Sequence, residues 1–120
     1  MILLDTSVWI DHLRKNDGIL ARLLEEQQIL VHPFVVGELA LGTLRQRRQV
    51  LNELAKLPVA IKASDTEVLV LIERHRLAGS GIGYIDAHLL ASASIGNASL
   101  WTRDKHLHQV AVSLGLAQLY

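Results

Sequence analysis

The chain has 120 residues, a length typical of one domain, and we expect residues 1–120 to form a single domain. Its 12 Lys and Arg residues balance its 12 Asp and Glu residues, which excludes a global polycation, so that any nucleic-acid binding requires a local basic patch. There is no cysteine, which excludes disulfides and thiolate metal sites. No apolar run approaches the roughly 18 residues of a membrane span, so we expect no membrane partner. The lack of cysteine is compatible with a reducing compartment, and we expect a cytoplasmic protein.

Short apolar runs alternate with helical patterns along the chain, which is typical of a parallel sheet covered by helices. The first run is short and continuous, as in a strand buried on both faces. Thr6 or Ser7 is placed to cap the helix that follows. The first half of the sequence predicts a strand at 2–4, a helix to about 14, turn residues at 16–18, a helix over 19–26, a strand at 29–31, a buried helix face at 36–43 and a helix over 45–56.

The second half of the chain continues this alternation. Ser64 and Glu67 match a capping box and predict the start of a helix. The glycines Gly79, Gly81 and Gly83 predict a flexible connector. The second half therefore predicts a strand at 59–61, a helix from 64 to about 77, a helix over 84–95, a strand at 99–102, a helix over 105–114 and a final strand at 116–120.

Four acidic residues interrupt apolar stretches: Asp5, Glu38, Asp86 and Asp104. A carboxylate in apolar surroundings is costly unless its charge is compensated. Two of the four follow predicted strands, and ligands of open parallel sheets bind beyond the carboxyl ends of the strands. We therefore expect the four acids to form one cluster around Mg²⁺ or Mn²⁺, which prefer oxygen ligands. Such a site suits phosphodiester hydrolysis.

Each acid also has a purely structural interpretation. Asp5 could cap the first helix, and Asp86 could be an ordinary acid of a first helical turn. Asp104 could form an Asx turn before the last helix. Glu38 could pair with an arginine of the basic cluster at 45–48. That cluster, in turn, predicts either nucleic-acid contact or a solvated helix face. Three other basic residues have the same two interpretations: Arg14, Arg103 and Lys105.

Four segments, in this order and at this spacing, resemble the PIN-domain family and, more narrowly, the VapC-type toxin ribonucleases. The segments are Asp5-Thr6-Ser7-Val8-Trp9-Ile10-Asp11, Val36-Gly37-Glu38-Leu39, Tyr84-Ile85-Asp86-Ala87-His88-Leu89-Leu90-Ala91 and Trp101-Thr102-Arg103-Asp104-Lys105-His106-Leu107. The resemblance implies an α/β fold, an α/β/α sandwich with a central, mostly parallel sheet. It implies a magnesium- or manganese-dependent endoribonuclease that leaves a 5′-phosphate and a 3′-hydroxyl.

The same resemblance implies partners. As the toxin component of a toxin–antitoxin pair, the chain would cut an RNA substrate and bind a cognate antitoxin that obstructs its acidic site. It would also form a homodimer. The chain is 50% hydrophobic with a mean hydropathy of +0.27, and this apolar excess independently favours an exposed apolar surface that meets a partner.

The resemblance also assigns roles to the four acids. The family's metal-site acids fall on Asp5, Glu38, Asp86 and Asp104. Asp5 and Asp86 would ligate the metal directly, whereas Glu38 and Asp104 would act through water or complete the site.

Neighbouring hydroxyls and one histidine complete the comparison. The family's hydroxyl after the first acid falls on Thr6 or Ser7, and its strand-end hydroxyl falls on Thr102. These hydroxyls would orient water or phosphate, although helix capping explains Thr6 and Ser7 equally well. Many members have another acid where this chain has His106, so the resemblance leaves open whether the site holds one ion or two. His106 either contacts phosphate or lies on the surface.

Two other functions fit parts of the sequence. The first is a catalytically silent PIN-like module that binds RNA or a partner protein, but the intact set of four acids argues against it. The second is a magnesium-dependent phosphatase. That class usually has an Asp-x-Asp pair on its first strand, and here Ser7 occupies the second acid's position.

Overall fold

The fold is built on a three-stranded parallel sheet, seen in a computed structural model that describes residues 1–120. The strands are β1 (Ile2–Leu4), β2 (Ile29–Leu30) and β3 (Ser99–Trp101), in the order β2-β1-β3. Because β1 lies in the centre, its three residues are buried, which explains their continuous apolar sequence.

Seven helices cover the sheet, so the predicted α/β/α sandwich with a parallel sheet is confirmed. Local chemistry sets several boundaries. One helix starts at the predicted capping box, where Ser64 Oγ accepts from Glu67 N and Glu67 Oε1 accepts from Ser64 N. Another begins at Pro33, after His32 Nδ1 accepts from Phe34 N. The helices are α1 (Thr6–Arg14), α2 (Gly18–Glu25), α3 (Pro33–Leu41), α4 (Arg47–Ala55), α5 (Asp65–Arg74), α6 (Tyr84–Ile95) and α7 (Lys105–Ser113).

The two predicted outer strands were wrong in extent. Residues 59–61 and 116–120 contribute only single parallel bridges, Val31 to Val59 and Leu100 to Ala117. Val59 is 61% exposed, so this segment lacks the two-sided burial that stabilises a parallel strand. The prediction for 45–56 also began too early, because Gln46 has φ +52° and the helix starts after it.

The parallel register brings the carboxyl ends of β1 and β3 side by side. Leu4 is paired with Trp101, and Asp5 N donates to Trp101 O at 2.9 Å. The residues that follow these strands therefore leave the sheet next to each other, Asp5 from β1 and Thr102 from β3. None of the seven helices combines the length and apolar composition needed to cross a bilayer.

Candidate active site

Asp5 is the buried centre of a hydrogen-bond network between the two strand ends. It is 7% exposed, and its Oδ2 accepts from Thr102 Oγ1 at 2.7 Å and from Ser7 Oγ at 2.8 Å. Ser7 Oγ also accepts from Arg103 N at 3.0 Å, and Thr102 Oγ1 accepts from Asp104 N at 3.0 Å. The capping interpretation of Asp5 is wrong, because its side chain makes no cap bond to α1. The network fixes the Asp5 carboxylate between β1 and β3.

Thr6 and Ser7 do not cap a helix either. The helix begins at Thr6 itself, and both hydroxyls donate to carboxylates. Thr6 Oγ1 donates to Glu38 Oε1 at 2.7 Å, which links α1 to α3. Glu38 forms no ion pair with the cluster at 45–48, so that alternative is wrong. Thr6 thus ties Glu38 to the residue next to Asp5.

Asp86 shares its electrostatic environment with the other three acids. It is half-buried in the first turn of α6, and its Oδ2 accepts from Gly83 N at 3.1 Å. Burial raises the pKa of Asp86, and the negative charges of Asp5, Asp104 and Glu38 raise it further against the opposing effect of the Gly83 hydrogen bond. Asp86 does lie in the first turn of α6, as the structural interpretation proposed, and its charge interacts with those of the other three acids. That the four acids hold one metal ion stays a prediction.

Asp104 has the structural role that the sequence offered as an alternative. It is the N-cap of α7, and its Oδ1 accepts from Leu107 N at 2.9 Å. Both Asp104 and Glu38 are exposed. The expectation that all four acids lie in apolar surroundings thus holds for Asp5 and Asp86 alone, because Glu38 and Asp104 lie on the solvent-exposed sides of α3 and the α7 N-terminus.

The four carboxylates form an oxygen-rich group with no cationic partner. Each uses one oxygen for hydrogen bonds and leaves the other without a protein donor. None of the four forms a salt bridge. This donor set fits a hard divalent cation. No three of these side chains converge into a group that could hold a metal ion. The oxygens without a protein donor are Asp5 Oδ1, Glu38 Oε2, Asp86 Oδ1 and Asp104 Oδ2.

A clamp between α5 and α6 holds the helix that carries Asp86, and the sequence reasoning missed it. Asp65 Oδ1 accepts from Tyr84 OH at 2.9 Å and from His88 Nε2 at 3.1 Å. Tyr84 and His88 lie one helical turn apart, on either side of Asp86 in the sequence. Their i, i+4 spacing on the same helix face was the signal available. The clamp fixes the start of α6 relative to α5.

Arg103 and His106, at the edge of the site, both make specific contacts with neighbouring side chains or backbone. Arg103 forms ion pairs with Asp11 at 2.8 Å and with Asp17 at 2.5 Å, so its guanidinium is already neutralised. The exposed His106 ring lies against the connector, where Gly81 has φ +88° and a Cβ on this glycine would lie 2.9 Å from His106 Cδ2.

Comparisons of the sequence with known proteins agree on one family. The family model for the PIN domain matches residues 2–113. The chain is 49% identical over 118 residues to Ribonuclease VapC32 from two strains of Mycobacterium tuberculosis, CDC 1551 / Oshkosh and H37Rv, covering 98% of this chain and 95% of each relative.

Solved structures share the fold at lower identity. The crystal structure of FitAcB from Neisseria gonorrhoeae matches with a TM-score of 0.64 and 22% identity, over 93% of this chain and 94% of that one. The crystal structure of PAE2754 from Pyrobaculum aerophilum matches with a TM-score of 0.61 and 15% identity, over 95% and 88% of the two chains. Together with the family-model match and the 49% identity, this places the chain in the PIN-domain family, within its VapC type.

Proposed function

We propose that this chain is a magnesium- or manganese-dependent endoribonuclease and the toxin of a toxin–antitoxin pair. One observation carries the proposal: the carboxylates of Asp5, Glu38 and Asp104 all raise the pKa of Asp86, each of the four acids has one oxygen without a protein donor, and no cationic side chain compensates them. The similarity to a protein named Ribonuclease VapC32 supports RNA as the substrate. A residue set of this kind suits phosphodiester hydrolysis with a bound divalent cation.

The roles of the acids follow from burial and hydrogen bonding. We assign Asp5 and Asp86 as the direct metal ligands, because they are the two least exposed acids of the cluster and a bound cation would offset their cost of burial. Glu38 and Asp104 lie exposed at the rim, and we assign them to act through water. The hydroxyls that hold the Asp5 and Glu38 carboxylates in place belong to Thr6, Ser7 and Thr102.

In the proposed reaction, water attacks the phosphorus and loses one proton to solvent, the bond from phosphorus to the 3′-oxygen breaks, and that oxygen takes up a proton from solvent. The products carry a 5′-phosphate and a 3′-hydroxyl. A bound Mg²⁺ or Mn²⁺ supplies charge stabilisation at the phosphoryl oxygens. Glu38 and Asp104 accept hydrogen bonds from the attacking water through their free oxygens and so orient it. The Thr102 and Ser7 hydroxyls keep the Asp5 carboxylate from rotating between turnovers.

The test is cleavage of a labelled single-stranded RNA by the purified chain. We expect cleavage with Mg²⁺ or Mn²⁺, none with EDTA, and products with a 5′-phosphate. Asp5→Asn should lower the rate on the order of a hundredfold or more, comparable to the loss of one main electrostatic group of an active site. Glu25→Gln removes an exposed acid of α2, outside the cluster, and is the matched control. Cleavage in EDTA, or full activity of Asp5→Asn, would reject the proposed mechanism.

A catalytically silent RNA- or protein-binding module is the second candidate. One observation favours it: no three of the acids converge into a metal-ligating group. Mn²⁺ binding separates the two candidates independently of activity. Electron paramagnetic resonance should show that the chain binds Mn²⁺ and that Asp86→Asn weakens this binding. A chain that binds RNA but neither binds Mn²⁺ nor cleaves would be the silent module.

The remaining proposals concern partners and location. We propose a cytoplasmic protein that forms a homodimer and binds a cognate antitoxin over the acidic site. Several large apolar side chains are exposed, which supports an apolar partner surface. Sedimentation should show a dimer at micromolar concentration, and a monomer there would exclude the homodimer. The most exposed of these apolar side chains are Leu41, Val59, Ile61, Leu69 and Leu119.

A further inference from the structure

An open, shallow pocket lies between the end of α1 and the start of α2, separate from the four acids. It has a volume of about 770 Å³ and only one hydrophobic residue in its lining. Four basic side chains and two acidic ones line it. The pocket is therefore polar and carries a net positive charge. The charged lining residues are Arg14, Lys15, Arg22, Arg103, Asp11 and Asp17.

The two acids of this pocket are not available to neutralise most of its basic residues. Asp11 and Asp17 both bind the guanidinium of Arg103. Arg14 and Lys15 form no salt bridge, and Arg22 has one i, i+4 contact at 3.9 Å with Glu26, in which both side chains are more than half exposed. A pair of that kind contributes little. Three cations thus remain for an anionic ligand.

Arg103 connects this pocket to the acidic site. Its guanidinium forms part of the pocket wall, while its backbone N donates to Ser7 Oγ, which in turn donates to Asp5 Oδ2. Arg14 lies eight residues along α1 from Thr6, roughly 12 Å at the helical rise. This distance corresponds to about three to four nucleotides of a stacked strand. A strand cut at the acidic site would therefore reach the pocket with its flanking phosphates.

We propose that the α1–α2 pocket is a phosphate-binding subsite for the RNA strand that flanks the cleavage point, with Arg14, Lys15 and Arg22 as its ligands. This inference rests on the proposed ribonuclease function. A substrate subsite is needed physically, because the acidic cluster repels a polyanion and the chain as a whole has a net charge of zero. The ion-paired Arg103 holds the pocket wall rigid and leaves phosphate binding to the three free cations.

The test compares two variants with the same loss of charge. One is Arg14→Gln, Lys15→Gln and Arg22→Gln in the pocket. The control is Arg45→Gln, Arg47→Gln and Arg48→Gln in the other basic cluster, whose residues are also exposed and do not line the pocket. Each variant loses three positive charges. Circular dichroism checks that both remain folded, and fluorescence anisotropy with labelled single-stranded RNA in EDTA measures binding without cleavage.

We expect the pocket variant to bind RNA about tenfold or more weakly at 0.1 M salt, and its slope of log K against log [salt] to fall by about 2, roughly 0.7 for each of three phosphate contacts. The control should change far less. For the wild-type chain, affinity should rise when the RNA is lengthened by about four nucleotides on one side of the cut, and the pocket variant should lose this increase.

The outcomes separate this inference from the proposed function. If the wild-type chain cleaves RNA but both variants bind it equally well, or equally poorly, the pocket is not a phosphate subsite while the ribonuclease proposal stands. If the wild-type chain fails to cleave, the ribonuclease proposal itself fails. Poly-glutamate serves as the probe for an acidic protein partner. If the pocket variant loses binding to poly-glutamate while its RNA binding is unchanged, the pocket binds an acidic protein and the RNA subsite is wrong.

Discussion

Thr102 Oγ1 donates a 2.7 Å hydrogen bond to Asp5 Oδ2, although the two residues are 97 positions apart in sequence. The same hydroxyl accepts from Asp104 N at 3.0 Å. One threonine thus connects the buried acid after β1 with the exposed acid before α7. The Thr102 hydroxyl therefore holds the segment after β1 against the segment after β3.

The first prediction removes this link. Thr102→Val keeps the shape of the side chain but leaves Asp104 N without its acceptor and Asp5 Oδ2 with one donor fewer. We expect a loss of about 1.5–3 kcal/mol in the free energy of unfolding, the usual contribution of a hydrogen bond to a charged group. Urea denaturation measures it. Thr102→Ser retains the hydroxyl and should lose less than half as much; equal losses would show that packing, not the hydrogen bonds, is the reason.

The second prediction concerns Asp86 without metal. Because its folded-state pKa is raised above 3.8, the native state binds more protons than the unfolded state between these two values, and stability falls as the pH rises through this window. Asp86→Asn should therefore raise the melting temperature at pH 7 in EDTA, and the gain should shrink towards pH 4. The control is Glu25→Gln, which removes an exposed acid of α2 outside the cluster. A lower melting temperature for Asp86→Asn at pH 7 would contradict the assigned cost of this charge.

The third prediction adds the metal to the same comparison. A ligand that binds only the native state stabilises it by about 2.7 kcal/mol at a hundred times its dissociation constant. Mn²⁺ should therefore raise the melting temperature of the wild-type chain. Because Asp86→Asn lacks a metal ligand, the wild-type chain should then melt at the higher temperature of the two, the reverse of the order in EDTA. An equal rise in both proteins would exclude Asp86 as a metal ligand.

The fourth prediction concerns His32, which is fully buried beneath α3 and α6. Its Nδ1 accepts from Phe34 N and its Nε2 donates to Ser92 Oγ at 3.2 Å. Burial, with smaller contributions from the charges of His88 and Lys62, lowers its pKa from 6.5 to about 4. The unfolded state therefore binds more protons between pH 6.5 and about 4, so the free energy of unfolding falls as the pH falls through this range.

Urea denaturation at pH 7 and pH 5 tests this expectation. The wild-type chain should lose stability at the lower pH. His32→Gln should be less stable at both values but should show a smaller difference between them, since the titrating group is gone. The control is His75→Gln, which removes an exposed histidine and should keep the wild-type difference. If His32→Gln also keeps the full difference, the pH dependence arises elsewhere.

The fifth prediction concerns the contact between the connector and His106. Gly79 and Gly81 both have positive φ, but of the two only Gly81 has a neighbour within 4 Å of the point that an added methyl group would occupy, the His106 ring. Gly79→Ala should cost about 1–2 kcal/mol for the left-handed backbone alone. Gly81→Ala should lower the free energy of unfolding by more than Gly79→Ala does. When Gly81→Ala is made in a His106→Ala background, this additional loss should disappear. If the excess persists without the imidazole, the ring is not its cause.

Much of the fold followed from local sequence. The apolar run at 2–4 predicted a buried central strand, and the capping box at Ser64 placed the start of α5, because both signals depend on interactions within a few residues. The edge segments at 59–61 and 116–120 were predicted as strands and form only single bridges. Strand length at a sheet edge depends on burial by other elements, and a local apolar run does not report that burial.

The candidate site divides in the same way. By itself, the sequence determined which four acids interrupt the apolar pattern, because the cost of placing charge next to a core is visible in any single segment. Only the tertiary structure decided what each carboxylate contacts. The hydroxyls of Thr6 and Ser7 donate to carboxylates and do not cap a helix, and the Thr102 hydroxyl donates to Asp5. Arg103 is neutralised by Asp11 and Asp17. The contacts of Thr102 and Arg103 join residues that are far apart in sequence, and they form because the parallel sheet brings the ends of β1 and β3 together.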